Sequence, residues 1–281
     1  MPDLRFLLKV SRPRFWIYIF GPYIVGLIAG IENKSELLNL SYLLLGIYFL
    51  YPANLLIYGV NDVYDYETDK LNDKKTDYET LVTPERRSGL WLAIFFTNFA
   101  FVGILLIGSV PVIISGALFL FFSIYYSSPP IRAKTKPFLD SAFNVLYILP
   151  GVFSYALVTG KFPPASLIIA GGFWTAAMHA YSAIPDIEAD RAAGLKTIAV
   201  VLNPYGTLAF CAVLFTASAI LAFEHLGLVG VSIGAGYLIM MLASVRSVMT
   251  GTVFKLYRAF PIINMAAGFI IFWRIAIEKL L

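Results

Sequence analysis

Carboxylates at helical spacing are the first feature of this 281-residue sequence that could do chemistry. The stretch Tyr58-Gly59-Val60-Asn61-Asp62-Val63-Tyr64-Asp65-Tyr66-Glu67-Thr68-Asp69 lies where a long apolar run gives way to a charged loop. If a helix continues through it, Asp62, Asp65 and Asp69 fall at i, i+3 and i+7, on one face. Like charges stacked in this way repel, so the arrangement is destabilised unless a cation is held among them. A second group, Asp186-Ile187-Glu188-Ala189-Asp190, follows another apolar run, with Asp186 and Asp190 one turn apart. Two such groups, each at the end of an apolar run, point to a shared cation site.

The elements that must position these acids follow from composition. The chain is 59% hydrophobic and 14% charged, with mean hydropathy +0.78, far from the balance of a soluble domain. It reads as an integral membrane protein. The single cysteine, Cys211, lies in an apolar run, which excludes a disulfide framework and a thiolate metal site and suits a small buried side chain. Charges mark the ends of spans, because a bilayer core takes about 20 helical residues and a charge at its centre is costly. Nine uncharged runs result, at 15–31, 38–60, 90–107, 110–128, 141–160, 163–184, 205–223, 226–245 and 259–277. The expected fold is therefore all-α and polytopic, with nine transmembrane helices in a single domain over residues 1–281. The first run begins with aromatics and has no small-residue cleavage pattern, so it reads as a span and not a signal peptide. The polar stretch from Lys70 to Arg87, with Pro84 near its end, is the candidate cap over a site.

Nine spans put the termini on opposite sides of the membrane. Lys34, Lys161, Arg274 and Lys279 then fall on one side, and the remaining 17 of the 21 Lys and Arg residues on the other. By the positive-inside rule the N-terminus and the loops after even-numbered spans are cytoplasmic. Both aspartate groups lie on that face, and so does the basic stretch Arg132-Ala133-Lys134-Thr135-Lys136. Basic residues sorted by side of the membrane argue against a nucleic-acid partner. Of the 17 acids, 8 lie between Asp62 and Glu85, a concentration that charge balance alone does not call for.

Hard divalent cations such as Mg2+ take oxygen ligands, commonly one or two carboxylates together with substrate phosphates. Two carboxylate groups could hold Mg2+ against a diphosphate, with Arg132, Lys134, Arg191 and Lys196 balancing the remaining charge. Metal and cations together would stabilise the diphosphate as it leaves. A divalent-cation transporter is the alternative of a different class, but transport sites lie near the midplane on broken helices. These acids cluster at one membrane edge, after spans that read as uninterrupted. His179, seven residues before Asp186, could project from the same face of span six into a cavity. Equally, His179, Asn54 and Asn144 could serve as hydrogen-bonded links between helices.

The pattern Asn61-Asp62-x-x-Asp65-x-x-x-Asp69 and the pattern Asp186-x-x-x-Asp190, each after an apolar helix, resemble the two signature motifs of the UbiA superfamily of intramembrane prenyltransferases. The segment Tyr126-Ser127-Ser128-Pro129-Pro130-Ile131-Arg132-Ala133-Lys134 is similar to the stretch after that family's fourth helix. The resemblance implies nine helices around a central cavity, open to lipid, and Mg2+-dependent transfer of an allylic prenyl group from its diphosphate. It implies metal and diphosphate binding by Asn61, Asp62, Asp65, Asp69, Asp186 and Asp190, the five aspartates being catalytic, and substrate contacts from Tyr126, Arg132 and Lys134. Arg191 and Lys196 join that set by charge and proximity in sequence. Many members that use aromatic acids carry an arginine where this chain has Asn54, so a carboxylate-bearing aromatic acceptor is not expected. The wording around both motifs, including Ile184-Pro185-Asp186-Ile187-Glu188-Ala189-Asp190-Arg191, looks most like the lycopene elongase branch, which adds C5 units to C40 carotenoids. The implied partners are a prenyl diphosphate donor, a hydrophobic lipid-soluble acceptor and membrane lipids. A quinone precursor, a tetrapyrrole or a glycerol-phosphate lipid are the other acceptors such an enzyme could use.

Overall fold

The computed structural model describes residues 3–66 and 80–280, and the regular structure among them is helical. In chain order the α-helices are α1 (Leu4–Val10), α2 (Ile17–Gly30), α3 (Leu40–Leu50), α4 (Pro52–Tyr64), α5 (Pro84–Leu105), α6 (Val110–Tyr125), α7 (Leu139–Ala142), α8 (Leu149–Thr159), α9 (Ala165–Ser182), α10 (Ile187–Ala192), α11 (Ile198–Met249) and α12 (Val253–Leu280). Among the described residues six stretches are long and apolar enough to cross a bilayer: Leu40–Tyr64, Pro84–Leu105, Leu139–Thr159, Ala165–Ala192, Ile198–Met249 and Lys255–Leu280. The chain is thus a multi-pass membrane protein, all-helical over the described residues. Helix α11 has 52 residues, about 78 Å of helix against a hydrocarbon core of about 30 Å. Its backbone leaves the helical region at Asn203 (φ 58°) and Gly227 (φ 55°), and the second of these lies at the start of the uncharged run 226–245.

The chain divides into two compact units, residues 1–132 with 149–162, and residues 133–148 with 163–281. In the first unit the Leu40–Tyr64 span is built of two helices, α3 and α4, and not of the uninterrupted helix expected over 38–60. The break falls at Tyr51 (φ −121°, ψ −63°), just before Pro52. Proline has no N–H to donate and its ring clashes with the preceding turn. Asn54 repairs part of the loss, because its Nδ2 donates to the Phe49 and Leu50 carbonyls at 3.1 and 2.9 Å. Backbone carbonyls inside a membrane protein need such substitute donors.

Aromatic rings fill the interior of this unit. Phe49 lies 5.1 to 5.6 Å, centroid to centroid, from Tyr23, Phe101, Phe119 and Phe153. The buried hydroxyls among them are used, Tyr48 donating to Asn98 Oδ1 at 2.9 Å and Tyr23 to the Tyr42 carbonyl at 2.6 Å. Helices α2 and α8 approach through Gly26 and Gly151. A Cβ on Gly26 would overlap the Gly151 carbonyl oxygen and lie 2.5 Å from Ser154 Oγ, while the Ser154 hydroxyl donates to the Tyr23 carbonyl at 2.7 Å. Small residues at a crossing let two backbones close up where lipid supplies no hydrophobic drive.

The second unit is held by the same kind of contact. Phe215 stacks on Tyr237 at 4.3 Å, and the Tyr237 hydroxyl donates to Asn264 Oδ1 at 2.7 Å. Tyr181 and Ser244 share a hydrogen bond at 3.0 Å. Cys211 is buried, as its setting suggested, and its Sγ donates to the Ala177 carbonyl at 3.3 Å.

Gly26→Ala is expected to lower stability by about 1–3 kcal/mol through overpacking, read as a lower melting temperature of the detergent-purified protein. Gly103→Ala, where an added Cβ meets nothing within 4 Å, should leave it unchanged or slightly raised.

Candidate active site

The first aspartate group sits at the C-terminal end of α4, where the helix ends sooner than a continuous motif helix would. Tyr64 is its last residue, and Asp65 (φ −104°, ψ 4°) is the C-cap, its N–H bonded to the Asn61 carbonyl at 3.1 Å. The single helical face through all three aspartates is therefore not formed over the described residues, and Asp69 lies outside them, as does most of the expected cap between Lys70 and Arg87. Carboxylates near a helix C-terminus face the negative end of its dipole. They need cations, and the first unit supplies two arginines.

Arg12 is the one the sequence reading missed. Its Nη2 donates to Asp62 Oδ1 at 2.7 Å, with Asp62 2% and Arg12 14% exposed. The guanidinium also lies 4.8 Å from the centre of the Tyr58 ring, one turn back on α4, a favourable cation–π placement. Local sequence explains how Arg12 gets there. The following Pro13 disfavours the αR region for Arg12, which takes φ 52°, ψ 72° at the head of the 3-10 turn Pro13–Phe15. Trp16 Nε1 fixes that turn by donating to the Ser11 carbonyl at 3.0 Å. The Arg12-Pro13-Arg14 sequence could have signalled this, but topology already accounted for its charge.

The second arginine, Arg132, was expected at the site and reaches Asp65, Nη2 to Oδ1 3.7 Å. It too has positive φ, 46°, and its N–H bonds the Ser128 carbonyl at 2.9 Å. Non-glycine residues with positive φ are uncommon and gather at functional sites. Tyr126, at the C-cap of α6, is half-buried, as is Asn61. Asn54 is fully buried and committed through its amide to the break before α4.

The second group lies in the second unit at the opposite kind of helix end. Asp186 closes the 3-10 turn Ile184–Asp186 and is the N-cap residue of α10, without a capping bond to that helix. Asp190, half-buried one turn later, accepts from the Thr197 hydroxyl at 3.0 Å. Arg191 is exposed and its Nη2 donates to Asn203 Oδ1 at 3.2 Å, while Lys196 is exposed. Lys134, in the 3-10 turn Ala133–Thr135, and His179, in the last turn of α9, are half-buried. A further carboxylate, Asp140, is fully buried and accepts from the Ile198 N–H at 2.6 Å. A lone acid beside a basic stretch gave no pattern to find it by.

The ionisable donors of both groups are hard oxygens, the set that Mg2+ prefers. Among the described residues no three or more His, Cys, Asp or Glu side chains form a metal cluster. A divalent ion held by one or two carboxylates with phosphate and water oxygens fits this donor set. The arginines at Asp62 and Asp65 suit a phosphate-rich ligand, whose negative charge they can share with the carboxylates.

A membrane-embedded helical protein with two aspartate groups and flanking arginines defines the class, and comparison with known proteins defines the family. Residues 19–274 match the model of the UbiA prenyltransferase family, and the chain belongs to that family. It is a prenyltransferase. A lycopene elongase/hydratase of Haloferax volcanii is 37% identical over 97% of this chain and 90% of that protein. One from Halobacterium salinarum is 40% identical over 76% of this chain and 78% of its own. The fold is that of a UbiA homolog from Archaeoglobus fulgidus solved with GPP and Mg2+, TM-score 0.71, at 21% identity over 96% of this chain and 99% of that one. Family membership sets aside the divalent-cation transporter.

Removing Arg12 leaves Asp62 buried without that partner. Arg12→Ala is expected to cost about 3 kcal/mol, seen as a lower melting temperature in detergent. Arg132→Ala, at a side chain 43% exposed and 3.7 Å from its partner, should cost less than about 1 kcal/mol.

Proposed function

We propose that this protein transfers the C5 dimethylallyl group of dimethylallyl diphosphate to an end of lycopene or a related C40 carotenoid. The observation that carries this reading is the 37% identity to a lycopene elongase/hydratase across nearly the whole chain. Asn54 supports it from the acceptor side, since a neutral amide tied to two backbone carbonyls offers nothing to a carboxylate.

In this reading the C1–O bond of the donor breaks and its electron pair leaves with diphosphate. Bound Mg2+ supplies charge neutralisation for that leaving group. Asn61, Asp62, Asp65 and Asp69 bind from the first group, and Asp186 and Asp190 from the second. Arg132 and Lys134 hold the phosphate oxygens, with Arg191 and Lys196 adding positive charge and Tyr126 and His179 lining the substrate space. The terminal alkene of the acceptor attacks the allylic cation, and the new cation loses a proton or takes water. The whole chain acts as one domain of nine spans around a central cavity open to lipid. Its N-terminus and both aspartate groups face the cytoplasm, in keeping with the 17 basic residues on that side.

The test uses membranes from a host that accumulates lycopene, supplied with Mg2+ and dimethylallyl diphosphate. The intact protein should give C45 and C50 carotenoids by chromatography and mass spectrometry, and Asp65→Ala should give less than about one-hundredth of that product. Chelation with EDTA should stop the reaction and excess Mg2+ restore it. Unchanged lycopene, alongside prenylation of a quinone precursor, a tetrapyrrole or a glycerol-phosphate lipid, would overturn the acceptor assignment and keep the prenyl transfer.

A further inference from the structure

The second aspartate group is tied down by a carboxylate with no part in the reading above. Asp140 is fully buried in the second unit. Its Oδ1 accepts from the Ser141 N–H at 2.8 Å and its Oδ2 from the Ile198 N–H at 2.6 Å. Ile198 is the first residue of α11, and Thr197 is the N-cap. A threonine in that position normally accepts a bond from an N–H two or three residues on. Thr197 makes no such bond, and its hydroxyl donates to Asp190 Oδ2 at 3.0 Å. Asp140 therefore supplies an acceptor at a helix start whose own cap residue is engaged elsewhere, and a carboxylate there also meets the positive end of the dipole.

The short connection between α10 and α11 grips Asp190 a second time. Gly194, with φ +71°, follows the end of α10, and the Leu195 N–H bonds the Asp190 carbonyl at 2.9 Å while the Gly194 N–H bonds that of Arg191 at 3.1 Å. This is a Schellman closure, which needs the left-handed conformation glycine adopts without strain. Asp190 is thus held by its carbonyl from Leu195 and by its carboxylate from Thr197, two residues apart on one connection. Where that connection enters α11, its position is set by the Asp140 bond to Ile198.

We propose that Asp140 is a positioning residue for Asp190. By capping α11 it leaves the Thr197 hydroxyl to orient the Asp190 carboxylate for the Mg2+-bound diphosphate, a role that rests on the function proposed above. The chain of action runs from Asp140 through Ile198 and Thr197 to Asp190. Residues that orient a metal-binding side chain typically matter about 10–100-fold for metal affinity.

The test uses the full chain purified in detergent and a non-reactive donor, dimethylallyl thiolodiphosphate, with Mg2+. Asp140→Asn and Thr197→Val should each weaken analogue binding about tenfold, and Thr197→Ser should bind as the intact protein does. Combining Asp140→Asn with Thr197→Val should be no worse than the weaker single variant, because both act on one link. Losses that multiply to about a hundredfold would overturn the relay, as would an Asp140→Asn protein with a lower melting temperature but unchanged affinity. Should Asp140→Asn fail to fold, Thr197→Val with its Thr197→Ser rescue tests the same link, and unchanged affinity in Thr197→Val sinks it. If the intact protein binds no prenyl diphosphate, the functional reading falls and this role with it. If it binds and only the variants fail to differ, this role alone falls.

Discussion

Asp62 is a carboxylate at 2% exposure in the last turn of a helix, so burial and the helix dipole both oppose its charge. The Arg12 guanidinium, 2.7 Å away and set against the Tyr58 ring, offsets both. Much of the N-terminal structure follows from placing that group. Helix α1 ends with the Ser11 N–H on the Leu7 carbonyl, Pro13 helps turn Arg12 into the left-handed region, and Trp16 reaches back to the Ser11 carbonyl. A stretch that hydropathy treats as a tail is thereby tied to the signature motif, 50 residues away in sequence.

The same accounting of polar groups runs through the membrane-embedded parts. A helix interrupted by Pro52 exposes carbonyls that water would satisfy in a soluble protein, and Asn54 satisfies them here. Tyrosine hydroxyls within the apolar interior are likewise engaged, by Asn98, Asn264 and Ser244. The broken span is the feature that, in sequence, had been assigned to transporters. In this chain the break sits at Tyr51, about three to four turns before Asp62 and Asp65, so it shapes the path of α4 and does not itself present the acids.

Hydropathy made the helices legible, because a chain that is 59% hydrophobic carries its spans as long uncharged runs. The aspartate motifs were legible because few other demands put carboxylates at one-turn spacing beside a membrane. What escaped were properties set by partners far away in sequence. Arg12 looked like a topology charge, since counting cations by side says nothing about which one turns inward. Asp140 looked like an isolated acid, and its partner Ile198 is 58 residues on. The end of α4 at Tyr64 was also hidden, because Asp65 and Asp69 fit helical spacing whether or not the helix continues.

The two aspartate groups stand in different electrostatic surroundings. Asp62 and Asp65 stand at a helix C-terminus, where the dipole repels them, and each is met by an arginine. Asp186 stands at the N-cap of a helix, where the dipole is favourable, while Asp190 lies in the last turn of that six-residue helix and is met by a neutral hydroxyl and backbone closure. A neutral partner orients a carboxylate without pairing its charge, and burial, with Asp186 nearby, raises the Asp190 pKa above the ordinary carboxylate value. An arginine partner leaves less charge to offer but adds a guanidinium able to face phosphate.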